Sequence, residues 1–368
     1  MTAPDQIDGA PHPRDTLEIF GQSVAEAGFL EAYATGRLHH GWLLTGPRGI
    51  GKATLAWSIA RFLLATPSLD GDGLFGAPVA PSSLHIDPEH PVARRIAAGS
   101  EPGLKSITRT ENEKTGRLRD VISVEDIRGL TGFFQMSAAD GGRRVVIVDA
   151  ADDMNPQAAN ALLKMLEEPP DRATLLLVNH QPSRLLPTIR SRCRVLRLKP
   201  LGADDMARAL TQAGTDTAAQ TAALSELSGG SVGAALRLSA LEGLKLYAEL
   251  VALVGGLPQF DRSRAVKLAE AAAARGAEAK RDLLFELLDL LLARLARTGA
   301  SGVVPDVEAA PREAETLARL APHPAAGRAW AEIAQETGAR SQHGRAVNLD
   351  PAALVLDTLI KIGQARAA

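Results

Sequence analysis

At 368 residues the chain exceeds one ordinary hydrophobic core and divides into two or three domains. With 41 basic against 43 acidic side chains and a formal charge of -2, a surface that grips nucleic acid all over is excluded, though a local basic patch is not; aromatics at 4% leave few rings to stack on single-stranded bases. The sole cysteine, Cys193, closes no internal disulfide and fits a reducing compartment, and residues 1–15 carry no apolar run of a secretion signal, so a cytoplasmic protein without a membrane partner is expected.

From Leu17 to about Leu198, short apolar runs alternate with amphipathic stretches, the pattern of a parallel sheet flanked by helices. Residues 42–45 predict the first strand. A glycine-rich turn follows, then a helix from Gly51 to about Leu64 whose Leu55, Ile59, Phe62 and Leu63 face the sheet. Residues 66–91, rich in Pro, Gly, Ser and Asp without a period, read as a surface excursion. Further strands are expected at 105–109, 144–149, 174–179 and 194–198, and the nearly continuous apolar cores 43–44, 145–148 and 175–178 suit strands buried on both faces. Between them a helix opens at Ser123 with Asp126 as its capping-box partner. Another is capped by Asn155, has Pro156 at its first position and is stopped by Pro169 and Pro170. Leu162, Leu163 and Leu166 form its buried stripe, leaving Asn160, Lys164 and Glu167 on more exposed faces.

After Pro200 the strand signals stop, and glycine-bearing breaks at 229–233 and 255–258 divide a helical half. The expected division is an α/β domain over 1–199, a small helical domain over 200–240 and a helical bundle over 241–368. Within the bundle, 283–296 is a core helix interrupted by Glu286, Asp289 and Arg294 and too short to cross a bilayer. Residues 298–310 are expected as a loop, and a last helix starts at Asp350 with Pro351 in its first turn.

The run Gly46 Pro47 Arg48 Gly49 Ile50 Gly51 Lys52 is a phosphate-cradling loop: backbone N–H groups and a helix N-terminus face a polyphosphate, and Lys52 adds a point charge. The next position, where Ser or Thr would hold magnesium, is Ala53. Thr54 sits one residue late, a rotation of about 100° along a helix that turns its hydroxyl away. The apolar strand 145–148 ends in Asp149, which can reach a water on magnesium, but Ala150 follows where a water-polarising Glu would stand. Such general-base assistance is worth roughly 10²- to 10⁴-fold. Asp152 and Asp153, past the strand end, are expected to point elsewhere. Two absences at independent positions indicate a site that does not hydrolyse. Two readings of the loop stay open: residual ATP or ADP binding, or a structural turn that keeps strand and helix packed.

The segment Gly36 Arg37 Leu38 His39 His40, the glycine loop, residues 155–170 and Ser191 Arg192 Cys193, in this order, resemble the bacterial clamp-loader family of AAA+ proteins. Weaker likeness continues to Arg237 and residues 348–351. The resemblance implies an AAA+ P-loop domain, a helical lid and a C-terminal collar bundle. It implies that Arg192 acts as an arginine finger in trans on ATP held by a neighbouring subunit, an effect worth roughly 10³- to 10⁵-fold in such systems. It places Asn179 as a phosphate sensor, Arg237 as the lid arginine that detects nucleotide, and the helix after Asn155 along the interior of a ring where DNA passes. Gly46, Gly49, Gly51, Lys52, Thr54 and Asp149 complete the nucleotide set. For single residues the bland alternatives stand beside these: a solvated helix face, a strand-to-loop tie for Asn179, a surface salt bridge for Arg237. Many relatives carry a four-cysteine zinc module; here His85 and His90 alone do not make one, so no zinc and no resident metal are expected. His39 and His40 are expected to pack, and Cys193 to be a small buried hydrophobe.

The leading expectation is therefore a clamp-loader subunit that does not hydrolyse ATP and requires no cofactor. It would close a pentameric ring with gamma or tau and delta subunits and help place a sliding clamp on primed DNA within a replicative polymerase holoenzyme. The alternative is an active AAA+ ATPase motor subunit of a loader; a small-molecule kinase is weaker, because the helical half has no acceptor-binding motif.

Overall fold

The computed structural model describes residues 6, 10–66, 81–112, 116–135, 142–215 and 220–364. It forms two compact units, Met1–Asp216 with Gly230–Gly233, and Thr217–Gly229 with Ala234–Ala368.

The first unit contains α1 (Ser23–Ala34), β1 (Gly41–Thr45), α2 (Lys52–Ala65), α3 (Pro91–Ala97), β2 (Leu104–Ile107), α4 (Val124–Gln135), β3 (Arg144–Asp149), α5 (Pro156–Glu167), β4 (Ala173–Asn179), α6 (Pro187–Ser191), β5 (Arg194–Arg197) and α7 (Ala203–Gln212). Its strands lie in the order β2-β3-β4-β1-β5, and every pairing is parallel. Parallel pairing requires helical crossovers, so both faces are covered. The three inner strands accordingly lose their polar alternation: β1 and β4 are buried throughout, and Val145 to Val148 of β3 are fully enclosed. The edges differ. On β5, Arg194 and Arg197 are exposed, and Lys105 is exposed on β2, which blunts pairing with another chain. The expected strand 105–109 is shifted to Leu104–Ile107, because an edge strand with one covered face carries a weaker apolar signal.

Two of the helix starts in this unit follow caps legible in the sequence. Ser123 and Asp126 form the reciprocal box, with the Ser123 N–H donating to Asp126 Oδ2 at 2.8 Å and the Asp126 N–H donating to Ser123 Oγ at 3.5 Å. On α5, Asn155 Oδ1 accepts from the Ala158 N–H at 2.8 Å, Leu162 and Leu166 are buried, Leu163 is partly so, and Asn160, Lys164 and Glu167 are exposed. Of the expected excursion 66–91, residues 67–80 lie outside the described residues, and 81–90 form no helix or strand.

The second unit holds α8 (Thr221–Ser228), most of α9 (Val232–Ala240), α10 (Gly243–Gly255), α11 (Arg262–Ala273), α12 (Glu278–Ser301), α13 (Glu313–Leu320), α14 (Pro324–Ala346) and α15 (Pro351–Gly363). Leu284, Leu288, Leu291, Leu292 and Leu295 of α12 supply its core. The loop expected from 298 is corrected: α12 runs to Ser301 and stops at Gly302, which takes φ +72°. The reason is packing. Thr298 is buried, and a Cβ on Gly299 would lie 2.5 Å from Gly327 Cα on α14, so two glycines let the helices touch backbone to backbone. α15 begins as expected, with Asp350 Oδ2 accepting from the Ala353 N–H at 2.8 Å. Among the described residues no helix is long and apolar enough to cross a membrane.

Candidate nucleotide loop and arginine turn

Strand order assembles the first candidate site. The glycine loop follows β1, Asp149 ends β3 and Asn179 ends β4; Thr45 is in register with Asn179, and Asp149 with Val178. Three neighbouring strands thus deliver their carboxyl ends to one rim, the usual ligand position in an open α/β sheet.

The loop is satisfied largely by its own chain. Lys52, only 3% exposed, donates from Nζ to Gly46 O at 2.7 Å and also to Pro47 O. Ser231 Oγ donates to Arg48 O at 2.9 Å, and the Gly233 N–H donates to Gly49 O at 3.0 Å. Four successive loop carbonyls therefore have partners. Two glycines are demanded by this closeness as much as by backbone angle. Gly46 takes φ +146°, and a Cβ there would lie 2.7 Å from Leu198 O. Gly49 takes φ +74°, and its Cβ would collide with Ser231 Oγ.

Burial pushes the Lys52 ammonium down to about 8, against the pull of Asp149 and Asp152 and helped by repulsion from Arg48. Asp152 corrects an expectation. A turn of 3-10 helix over Ala151–Asp153 brings its carboxylate back to the rim, where it is buried and Oδ1 accepts from the His180 N–H at 2.9 Å. Asp153, only 15% exposed, pairs with Arg109 at 3.4 Å and with Arg48 of the glycine loop at 4.0 Å. His180 itself is pushed down to about 4, first by burial and then by the charge on Lys52, so its ring is neutral at neutral pH. Asn179 is fully buried, and neither its Oδ1 nor its Nδ2 has a hydrogen-bond partner among the described residues; His180 Nδ1 is likewise buried without one.

These residues fit a phosphate better than a metal. The loop N–H groups, the Lys52 ammonium and the orphaned Asn179 amide are donors suited to an anion. Ala53 offers no oxygen, and Thr54 is half-buried on α2. Among the described residues no group of three or more His, Cys, Asp or Glu side chains could hold a metal ion.

The second candidate lies on the surface. Arg192 closes α6 in the turn before β5. Its NH2 pairs with Glu167 Oε1 at 2.8 Å, and its NH1 donates to Thr188 O at 3.1 Å; the two side chains are 38% and 43% exposed. Cys193 beside it is partly buried against the sheet core, and burial pushes its thiol up to about 12, which leaves no thiolate for nucleophilic work. His39 and His40 stack with centroids 4.3 Å apart, and His40 Nε2 bonds Leu166 O at 3.0 Å, a packing role.

A third surface is the groove of about 470 Å³ between α4 and α5, whose lining includes Arg128, Thr131, Gln157, Asn160, Lys164 and Glu168. Arg237 belongs to the second unit, where NH1 meets both Glu286 carboxylate oxygens at 2.9 and 2.8 Å. Sequence reasoning missed Asp152, His180, Ser231 and Glu167 as members of these clusters. Only Ser231 had a local signal, the Gly229 Gly230 Ser231 break.

Residues 21–202 match the family model described as DNA polymerase III, delta subunit. The delta prime subunit of DNA polymerase III from Pseudomonas aeruginosa is 38% identical over 222 residues, 60% of this chain and 61% of that protein. Over these residues the chain is a homologue of DNA polymerase III clamp-loader subunits. The delta prime subunit from Escherichia coli is 31% identical over 207 residues, 56% of each chain. The tau subunit from Salmonella typhimurium is 28% identical over 335 residues, 84% of this chain and 48% of that protein. The chain spans about half to three fifths of the length of these relatives. A solved gamma subunit-related protein from Thermotoga maritima, 18% identical, covers 92% of this chain and 99% of its own with a TM-score of 0.43. The clamp-loader assignment agrees with the resemblance on the glycine loop, the helix after Asn155 and the Arg192 turn, all of which fall inside the matched segment.

Proposed function

We propose that this chain is the delta prime member of a clamp loader: a subunit that does not hydrolyse ATP, helps load the sliding clamp onto primed DNA, and lends Arg192 to ATP held by a neighbour. The observation that carries this reading is the contrast between an inward-facing loop and an outward-facing arginine. Ala53 and Ala150 remove the magnesium hydroxyl and the catalytic carboxylate, and Lys52 is turned onto Gly46 and Pro47. Arg192 is a planar, permanently charged donor at the surface, suited to a phosphate brought by another subunit.

In this proposal the partners are gamma or tau and delta subunits in a pentameric ring in the cytoplasm. The chain would divide into an AAA+ domain, a small helical lid and a C-terminal collar that packs against those of its neighbours. Arg128, Asn160 and Lys164 would meet DNA through phosphates, which positions without reading sequence. ATP or ADP would bind weakly without magnesium through Gly46, Gly49, Gly51, Lys52 and Asn179, with Asp149, Thr54 and Arg237 as remnants of the ancestral set; no zinc is needed.

The test is ATP turnover by the purified chain, alone and mixed with the gamma or tau and delta subunits of its own organism. The chain alone is silent, the mixture hydrolyses, and Arg192→Ala lowers the mixture's rate by a factor on the order of 10³ or more at the affected site. The likeness to tau subunits supports one other reading, an active motor subunit. Vigorous turnover by the isolated chain would select it.

A further inference from the structure

Glu167 is the last residue of α5, where the helix already presents the negative end of its dipole. An acidic side chain is disfavoured there unless it has a counter-charge. The counter-charge is Arg192, whose guanidinium is held twice on its own subunit: NH2 by Glu167 at 2.8 Å and NH1 by Thr188 O at 3.1 Å. The backbones beneath are fixed. The Arg192 N–H donates to Ile189 O at 3.1 Å, and His40 Nε2 bonds Leu166 O at 3.0 Å. Gly41 lies between the two segments so closely that a Cβ would meet Leu166 Cδ2 at 2.8 Å and Arg192 O at 3.2 Å. The charged tips of Glu167 and Arg192, 43% and 38% exposed, stand outside these backbone contacts.

We propose that Glu167 is a positioning residue that parks the Arg192 guanidinium on its own subunit and competes with the terminal phosphate of the neighbouring subunit's nucleotide. This deepens the trans reading of Arg192 and rests on it. The carboxylate neutralises part of the positive charge, so a phosphate must displace it to engage the same NH2. An exposed ion pair is a weak hold, which suits a contact that has to be exchanged on assembly. Glu167 touches no nucleotide itself; its effect passes through Arg192.

The experiment uses the full-length chain reconstituted with the ATP-hydrolysing subunits of its own organism, with steady-state turnover followed against ATP concentration. Glu167→Gln keeps size and removes charge. It is expected to lower the apparent KM for ATP by about 1.4- to 5-fold, the range that corresponds to about 0.2–1 kcal/mol for an exposed pair, with kcat unchanged. In an Arg192→Ala background the same change has no effect, which a merely structural Glu167 would not produce. Melting curves of Glu167→Gln within 1 °C of the unchanged protein establish that folding is intact. If Arg192→Ala lowers turnover but Glu167→Gln leaves the KM as it was or raises it, the parking role is overturned and the trans reading survives. If Arg192→Ala leaves turnover unchanged, both fall together.

Discussion

Two arginine–glutamate pairs, one in each unit, use the same chemistry to opposite ends. Arg192 and Glu167 meet at the surface with more than a third of each side chain exposed. Arg294 and Glu313 meet at 2.7 Å with 5% and 0% exposed. Every oxygen of the buried carboxylate is used: Glu313 Oε1 accepts from Arg294 NH1 and from Tyr247 OH, and Oε2 accepts from the Ala309 N–H at 2.7 Å. Arg294 NH2 also reaches Glu226 Oε1 at 2.9 Å, so one guanidinium joins α8, α12 and α13. The contrast teaches where function can reside. A pair enclosed and fully bonded is committed to holding helices together, whereas a pair in water costs little to exchange for another partner.

The largest loss is expected from removing one buried partner. Glu313→Ala leaves the Arg294 charge enclosed and the Ala309 N–H and Tyr247 hydroxyl without their acceptor, and is expected to cost about 3–5 kcal/mol of stability. Denaturant unfolding of the full chain measures it, and a loss below about 1 kcal/mol would mean that water reaches the cluster. Tyr247→Phe is the milder probe. Burial, and then the hydrogen bond to Glu313, pushes the phenol above its ordinary range, so the hydroxyl is a donor at neutral pH. Its removal deletes one bond to a charged group, a cost of about 1.5–3 kcal/mol.

What could be read in advance follows the same division between local and assembled features. The strand Arg144–Asp149 coincides with its expected limits because a strand buried on both faces writes a continuous apolar run into the sequence. The caps of Ser123, Asn155 and Asp350 could be read for a similar reason: each motif lies within a few residues of chain. Ala53 and Ala150 were visible because they occupy fixed offsets from a loop and a strand. Asp152, His180 and Ser231 were not, since their places near Lys52 and the loop depend on the register of β3 with β4 and on a return of the chain from residue 231 to residue 48. The end of α12 was missed because Gly299 looks like a stop, and only its contact with Gly327 explains a glycine inside a helix. The Arg192 turn could be located, but its partner Glu167 could not, being 25 residues away along the chain.

Lys52 is a third case, a buried charge bonded to neutral carbonyls. Its folded value of about 8 lies below the ordinary lysine range near 10.4, so the folded protein gives up this proton first. The sign follows from proton counts: between about pH 8 and pH 10 the unfolded chain holds more protons than the folded one, and the contribution of Lys52 to stability rises with pH. Anion binding runs the other way. If nucleotide enters the loop through the ammonium, affinity falls by up to about tenfold per pH unit above 8, and binding below that limit takes up no proton. Titration of ADP binding between pH 7 and pH 9.5 reads this directly, and a flat profile would mean that Lys52 remains on Gly46 and Pro47 with ligand present.

The least loss of stability is expected at Arg192. Arg192→Ala removes an arginine whose bonds are to an exposed carboxylate and to one carbonyl, so the isolated chain is expected to lose only about 0.2–1 kcal/mol of stability. The same substitution is expected to lower turnover of the assembled mixture by orders of magnitude, so the two measurements together separate a residue kept for packing from one kept for a partner. Added salt divides them further. An exposed pair is screened within about 10 Å at 0.1 M ionic strength, so the stability difference between Arg192→Ala and the unchanged chain shrinks toward zero, while the cost of Glu313→Ala in the enclosed cluster stays nearly constant. A stability loss of 3 kcal/mol for Arg192→Ala, insensitive to salt, would place Arg192 with Arg294 as a structural brace and remove the reason to look for its phosphate on another subunit.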